Sequence, residues 1–226
     1  MKLAIFASGT GSTAEILFKY ASVVLTNNPQ AGVIERAENA GIPVEIIEKG
    51  LMNLEQFGEK IIEVLGKYQF DYISQNGWEM LTPANVCKKY AGRITNNHPA
   101  PLDPGFPDFG GKGMKGLTVH QAVLNFAHKI QRPFNSEICV HLVNEELDKG
   151  LLLGYTPVEV KDTDSVGSLQ ERLKEAERRF NLEFWNNTEK IGKLVSIERP
   201  ERLILQDEVG LLAEARAQAI AQTEKG

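Results

Sequence analysis

Leu3-Ala4-Ile5-Phe6-Ala7-Ser8-Gly9-Thr10-Gly11-Ser12-Thr13-Ala14 is an apolar run that breaks into a glycine turn and leads into helical spacing at Ala14, Ile16, Leu17 and Tyr20. A short unbroken apolar run suits a strand buried on both faces, and the glycines behind it permit a sharp reversal towards a helix. Strand, glycine turn and helix in that order open an α/β sheet. Working outward, strands are predicted over 23–26 and 43–47, with a helix over 32–41 closed by Gly41. Helices over 54–68 and 83–90 then alternate with strands over 71–74 and 93–96. The fold class that follows is α/β: a Rossmann-like, mixed but mostly parallel sheet with helices on both faces.

A turn-rich stretch over 98–116 follows, with prolines 99, 101, 104 and 107 and glycines 105, 110, 111, 113 and 116. Long loops of this kind inside a domain are usually functional. A helix over 117–128, strands over 137–143 and 151–160, and a charged helix over 164–186 complete the pattern. Residues 203–222 carry helical spacing at Leu205, Val209, Leu212, Ala215 and Ala219, which suits a helix covering the sheet or a neighbouring subunit. The expected organisation is one domain over 1–188 and a C-terminal extension over 189–226.

Composition narrows the function. The chain has 226 residues, 42% hydrophobic and 24% charged, an ordinary globular balance. No apolar run approaches the length that spans a bilayer, and Met1 to Ser8 reads as a first strand rather than a signal peptide. Cys87 and Cys139 have neither metal-ligand spacing nor scaffold density, so a reducing, cytoplasmic setting is expected. A net charge of -5 argues against broad nucleic-acid binding. No His, Cys or carboxylate spacing makes a metal site, and none is expected.

Gly9-Thr10-Gly11-Ser12-Thr13-Ala14 fits the dinucleotide fingerprint, but the second strand ends in Thr26-Asn27-Asn28 and lacks the acidic residue that holds a ribose, which argues against NAD. The turn can still hold a single phosphate through backbone N–H groups and the Ser12 and Thr13 hydroxyls; the plainer reading is a tight turn. Gly110-Gly111-Lys112-Gly113 lacks the Ser or Thr of a Walker A loop. Asn96-Asn97-His98-Pro99 lies where a strand leaves the sheet, the edge at which open α/β folds place ligands. Asn96 and His98 point to one side of an extended chain and can polarise one carbonyl, or they can form a capped turn with an exposed histidine. Glu145-Glu146-Leu147-Asp148-Lys149-Gly150 reads equally as a solvated hairpin or as a bend presenting Asp148 to a histidine. His141, inside a strand, reads as structural.

Taken together these segments resemble the phosphoribosylglycinamide formyltransferase family, folate-dependent enzymes of purine synthesis, from Met1 to about Trp185. The most specific pieces are Ser8-Gly9-Thr10-Gly11-Ser12, Asn96-Asn97-His98-Pro99 and Val140-His141-Leu142-Val143-Asn144-Glu145-Glu146-Leu147-Asp148-Lys149-Gly150. The resemblance implies transfer of a formyl group from 10-formyltetrahydrofolate, as co-substrate, to the amine of glycinamide ribonucleotide. It implies catalytic roles for Asn96, His98 and Asp148, and substrate contacts at Gly11, Ser12, Thr13, Lys174 and Glu177, with Arg172 on the same helix. Trp78, Glu79, Met80 and Leu81, with Asn96 and Asn144, Glu145, Glu146, Leu147 and Asp148, would wall the folate pocket. Partners are small molecules, without nucleic acid or membrane, and a homodimer stays open. Other amines, such as an amino-sugar nucleotide, or hydrolysis of formyl-folate are the alternatives. The family commonly has asparagine at the position of Thr13, an Ala-Gly-Phe-Met-like run at Gln75-Asn76-Gly77-Trp78 and an arginine near Glu79. These departures bear on specificity rather than on the chemistry.

Overall fold

Leu3–Phe6 forms β1, and the chain leaves none of its four side chains accessible to water. Alternate residues serve opposite faces of a strand, so β1 divides its side chains between separate apolar clusters. Ala4 and Phe6 join Phe57, Ile61, Val64 and Leu65 of α2 (Leu54–Leu65) and Val86 of α3 (Ala84–Lys89). Leu3 and Ile5 join Leu17 of the short helix Glu15–Tyr20, Val33 and Ala37 of α1 (Val33–Asn39), and Trp185. Helices therefore cover both faces, as the unbroken apolar run of the first strand requires. The computed structural model describes residues 1–223.

The chain divides into two compact units. The first holds residues 1–97, 142–145 and 181–194. Its parallel strands run in the order β3-β2-β1-β4-β5, with β2 Ala21–Thr26, β3 Val44–Ile46, β4 Tyr72–Gln75 and β5 Ile94–His98. An Asn53 and Gln56 capping box starts α2, and Gly66 closes it three residues earlier than the spacing predicts beyond Leu65. The expected helix over 14–20 is instead a 3-10 helix, Glu15–Tyr20. Only these residues separate the glycine turn from β2, and short connectors of this kind are where 3-10 turns are frequent.

The second unit holds residues 98–141, 146–180 and 195–226. Here β6 (Asn135–Leu142) pairs antiparallel with β7 (Leu152–Glu159), and the register shifts between Val140 and His141. Helix α4 (Gly116–Ala127) packs against α6 (Val209–Thr223), which follows the short helix Gln206–Glu208. Phe109, Phe126 and Phe134 stack edge to face at the centre of this apolar cluster, with Ile204, Leu212, Ala215 and Ala219 sealing it. Helix α5 (Val166–Ile191) runs longer than the predicted 164–186 and contributes residues to both units.

Candidate active site

In the second unit, His98 ends β5 and is buried, at 4% exposure. The strand continues two residues past the predicted end at Asn96, so Asn96 and His98 both lie within it, two positions apart. His98 Nε2 lies 2.9 Å from the Phe109 carbonyl oxygen, so that nitrogen carries the hydrogen and donates it. This contact turns Nδ1 towards Asp148, whose Oδ2 is 3.7 Å away. That separation is long for a hydrogen bond. Nδ1 is therefore the ring nitrogen available to a reacting group.

Asp148 is 7% exposed and sits at φ 58, a left-handed conformation that no other non-glycine residue adopts among the described residues. It occupies the turn closed by Lys149 N donating to the Glu146 carbonyl at 3.3 Å. Non-glycine residues held at positive φ cost stability, and such positions cluster where geometry serves a site. The turn aims the carboxylate inward: Gly111 N donates to Asp148 Oδ2 at 2.9 Å. A Cβ on Gly110 would stand 2.8 Å from Asp148 Cβ, so only glycine lets this loop lie against the carboxylate.

His141 belongs to the same cluster. Its place inside a strand predicts a structural residue, yet its Nε2 lies 3.6 Å from Asp148 Oδ1 and its ring is 2% exposed. The register shift falls at this residue, and such irregularities re-aim side chains beside active sites. The signal in the sequence was a histidine at the strand end facing the acidic turn. Below the cluster, buried Asp108 takes Gly110 N at 3.0 Å and the Lys149 ammonium at 3.1 Å on one oxygen, and Asp103 N at 3.1 Å on the other.

Of the residues expected to touch substrate, Lys174 and Glu177 lie on α5 in this unit, one exposed and one half-buried. Arg172 is committed elsewhere: its guanidinium clasps the Asp164 carboxylate and donates to the Glu159 carbonyl at 2.9 Å. Hydrogen bonding from Arg172 holds the Asp164 carboxyl well below the ordinary carboxylate range. His120 is buried, with Nδ1 lacking a hydrogen-bond partner; burial pushes it down to about 4, aided by the charges of His98 and Lys174. Glu146 and Leu147 are exposed on the turn before Asp148.

The first unit carries the glycine turn. Gly11 has φ 74, and a Cβ there would stand 2.6 Å from the Val33 side chain. Ser8 anchors the turn: its hydroxyl donates to Asn27 at 2.5 Å and accepts from Glu79 N at 3.0 Å, while its own N–H reaches the Gly77 carbonyl at 3.0 Å. Ser12 and Thr13 are half-buried at its rim. The dipole of a long α-helix is absent behind them, because the element is a six-residue 3-10 helix. Anion binding there falls to loop N–H groups and hydroxyls.

Trp78 and Met80 pack against the apolar cluster around Phe57, the Trp78 ring lying 5.0 Å from Phe6 and 6.5 Å from Phe57. Glu79 and Leu81 are exposed, as are Asn144 and Glu145. Burial raises the thiols of Cys87 and Cys139, which keeps both protonated near neutral pH and removes them as nucleophiles. Among the described residues, no group of three or more His, Cys, Asp or Glu could hold a metal ion, and no helix is long and apolar enough to cross a membrane.

A Rossmann-like α/β sheet with a buried histidine and carboxylate beyond the carboxyl end of a parallel strand defines the class: an α/β enzyme with an acid–base pair at the strand ends. The formyl transferase family model matches residues 1–183. The chain belongs to the formyl transferase family. It is 32% identical over 193 residues to the chloroplastic phosphoribosylglycinamide formyltransferase of Arabidopsis thaliana, covering 80% of this chain and 63% of that protein. It is 30% identical over 189 residues to phosphoribosylglycinamide formyltransferase of Bacillus subtilis, covering 79% of this chain and 90% of that protein. The crystal structure of phosphoribosylglycinamide formyltransferase from Brucella melitensis superposes with a TM-score of 0.70 at 28% identity, over 88% of this chain and 98% of that one. The chain spans about three fifths of the length of the chloroplastic relatives.

Proposed function

We propose that this protein transfers a formyl group from 10-formyltetrahydrofolate to the amine of glycinamide ribonucleotide, a step of purine synthesis. The observation that carries the reading is the buried His98 and Asp148 pair, its Nδ1 facing the carboxylate at 3.7 Å. Attack of the neutral amine forms a C–N bond at the formyl carbon and places negative charge on the formyl oxygen. Asn96 and the protonated His98 ring, through its Nδ1–H, are the donors for that oxygen. Asp148 accepts the proton that the amine nitrogen gains acidity to lose, and returns it to the folate nitrogen as the old C–N bond breaks. His141 faces the other carboxylate oxygen at 3.6 Å.

Gly11, Ser12 and Thr13 take the ribonucleotide phosphate in this reading, with Lys174 and Glu177 on the phosphate and ribose. Trp78, Glu79, Met80 and Leu81, and the turn from Asn144 to Asp148, line the folate side. Both cysteines are free and buried, which supports a reducing compartment and with it a cytoplasmic setting.

The purified protein, given 10-formyltetrahydrofolate and a panel of amines, should release tetrahydrofolate only when glycinamide ribonucleotide is present. Loss of one oxyanion donor costs about 3 kcal/mol, on the order of a hundredfold in rate, so Asn96→Ala and His98→Ala should each nearly abolish release, as should Asp148→Asn. Release with another amine would redirect the acceptor, release with water alone would make the protein a hydrolase, and a folded His98→Ala variant with normal turnover would sink the mechanism.

A further inference from the structure

The part of the chain beyond the family's matched region, which ends at residue 183, reaches the loop that shapes the His98 and Asp148 pair. We infer that Arg216, on α6, is a positioning residue for catalysis: it fixes the backbone carbonyl that orients the His98 ring and the N–H that holds Asp148. The inference rests on the proposed roles of His98 and Asp148.

The guanidinium of Arg216 donates to two carbonyls at once, Nη1 to Asp108 O at 2.8 Å and Nη2 to Gly110 O at 2.8 Å. Between them in sequence is Phe109, whose carbonyl takes His98 Nε2 at 2.9 Å. The next N–H after Gly110, that of Gly111, donates to Asp148 Oδ2 at 2.9 Å. A fork on residues 108 and 110 thus grips the Gly110–Gly111 peptide, whose N–H meets Asp148, and brackets the Phe109–Gly110 peptide, whose carbonyl meets His98, from both sides. Arginine suits the task because its planar fork meets two acceptors in one geometry, which a lysine ammonium cannot do.

Other contacts set the register of that fork. A Cβ on Gly113 would stand 3.0 Å from Ile220 Cδ1, so glycine lets the loop close onto α6. Farther along the same loop, Arg199 donates to Leu102 O at 2.7 Å, and Leu203 N donates to Asp103 at 3.3 Å. These contacts lie away from the histidine and brace the loop's base. Arg216 alone of these side chains grips the carbonyls flanking Phe109.

The test compares full-length Arg216→Met, which keeps the stem but no donors, with Arg216→Lys. A displacement of about 1 Å at a catalytic group can cost on the order of a hundredfold in rate, so Arg216→Met should lower kcat by about tenfold or more. KM for both substrates should stay within about twofold, since neither binding surface is assigned to Arg216. The His98 Nε2–H resonance should lose its protection from exchange, and Arg216→Lys should recover kcat only in part. A folded Arg216→Met protein with normal kcat and an unchanged His98 resonance overturns the inference. Should the Met variant fail to fold, Arg216→Lys decides it: kcat must still fall severalfold, and wild-type kcat overturns it. His98→Ala run alongside separates the two readings: a dead His98 variant beside an unimpaired Arg216 variant removes only this inference, whereas an active His98 variant removes the mechanism beneath it.

Discussion

At the scale of single residues, two buried histidines with different surroundings sit within reach of each other's charge. His98 has a carbonyl at one ring nitrogen and a carboxylate facing the other, whereas His120 has a buried Nδ1 with no partner at all. Burial, helped by the charges of His98 and Lys174, pushes His120 down to about 4. The neutral ring is therefore the form the folded protein tolerates. Between an unfolded value of about 6.5 and a folded value of about 4, the unfolded chain binds more protons, so stability is complete above the upper value and falls as the pH drops. Each pKa unit is worth about 1.4 kcal/mol, which gives a loss of about 2 kcal/mol between pH 7 and pH 5. Urea unfolding of the native protein should show that loss, and His120→Gln, neutral throughout, should remove most of it. An equal acid-side loss in both proteins would place the sensitivity elsewhere.

At the scale of elements, legibility followed burial. Strand β1 and residues 23–26 of β2 declare themselves as apolar runs because water reaches neither face, and Gly41 marks where α1 stops, whereas the spacing of α2 runs on to residue 68, past the Gly66 that closes it. The 3-10 helix after the glycine turn was not legible as such, since its apolar spacing fits an α-helix and only the short distance to β2 decides against it. Asn96, His98 and Asp148 stood out only when the motifs were taken together. Nothing local announces that a turn aspartate at φ 58 will be buried against a glycine loop. Arg172 shares the charged helix with Lys174 and Glu177, but its own partner is Asp164, eight residues earlier and ahead of α5, together with the Glu159 carbonyl. It fastens the start of the helix. Arg172→Ala should lower stability by about 1 kcal/mol, allowing for its partial exposure, or about 3 °C in Tm, with KM for glycinamide ribonucleotide unchanged. A large rise in that KM with Tm intact would place Arg172 on the substrate instead.

At the scale of the whole molecule, the matched family region and the compact units do not coincide: the family match ends at residue 183, while the second unit includes residues from 195 onward. Ile204, Leu212, Ala215 and Ala219 from that later stretch are buried among Val119, Val123, Phe126 and Leu173, so α6 completes a core that α4 leaves open. Arg132 ties the same region down by clasping Glu208 at 2.6 Å and donating to the Leu203 carbonyl at 3.0 Å. Sequence spacing identified the apolar stripe of this helix, but the partner that covers it depends on a fold-level contact that no local pattern encodes. Leu212 is 3% exposed, and truncating a buried leucine to alanine costs about 2–5 kcal/mol through lost burial and the cavity left behind. That is a sizeable share of a domain's total stability, about 5–15 kcal/mol. Leu212→Ala should therefore lower the urea midpoint steeply, and removal of residues 195–226 should leave the apolar face of α4 exposed and the protein prone to aggregate. If the truncated chain instead stays monomeric with an unchanged midpoint, the core of the second unit closes without α6, and the loop bearing Phe109 is held by something other than the helix that carries Arg216.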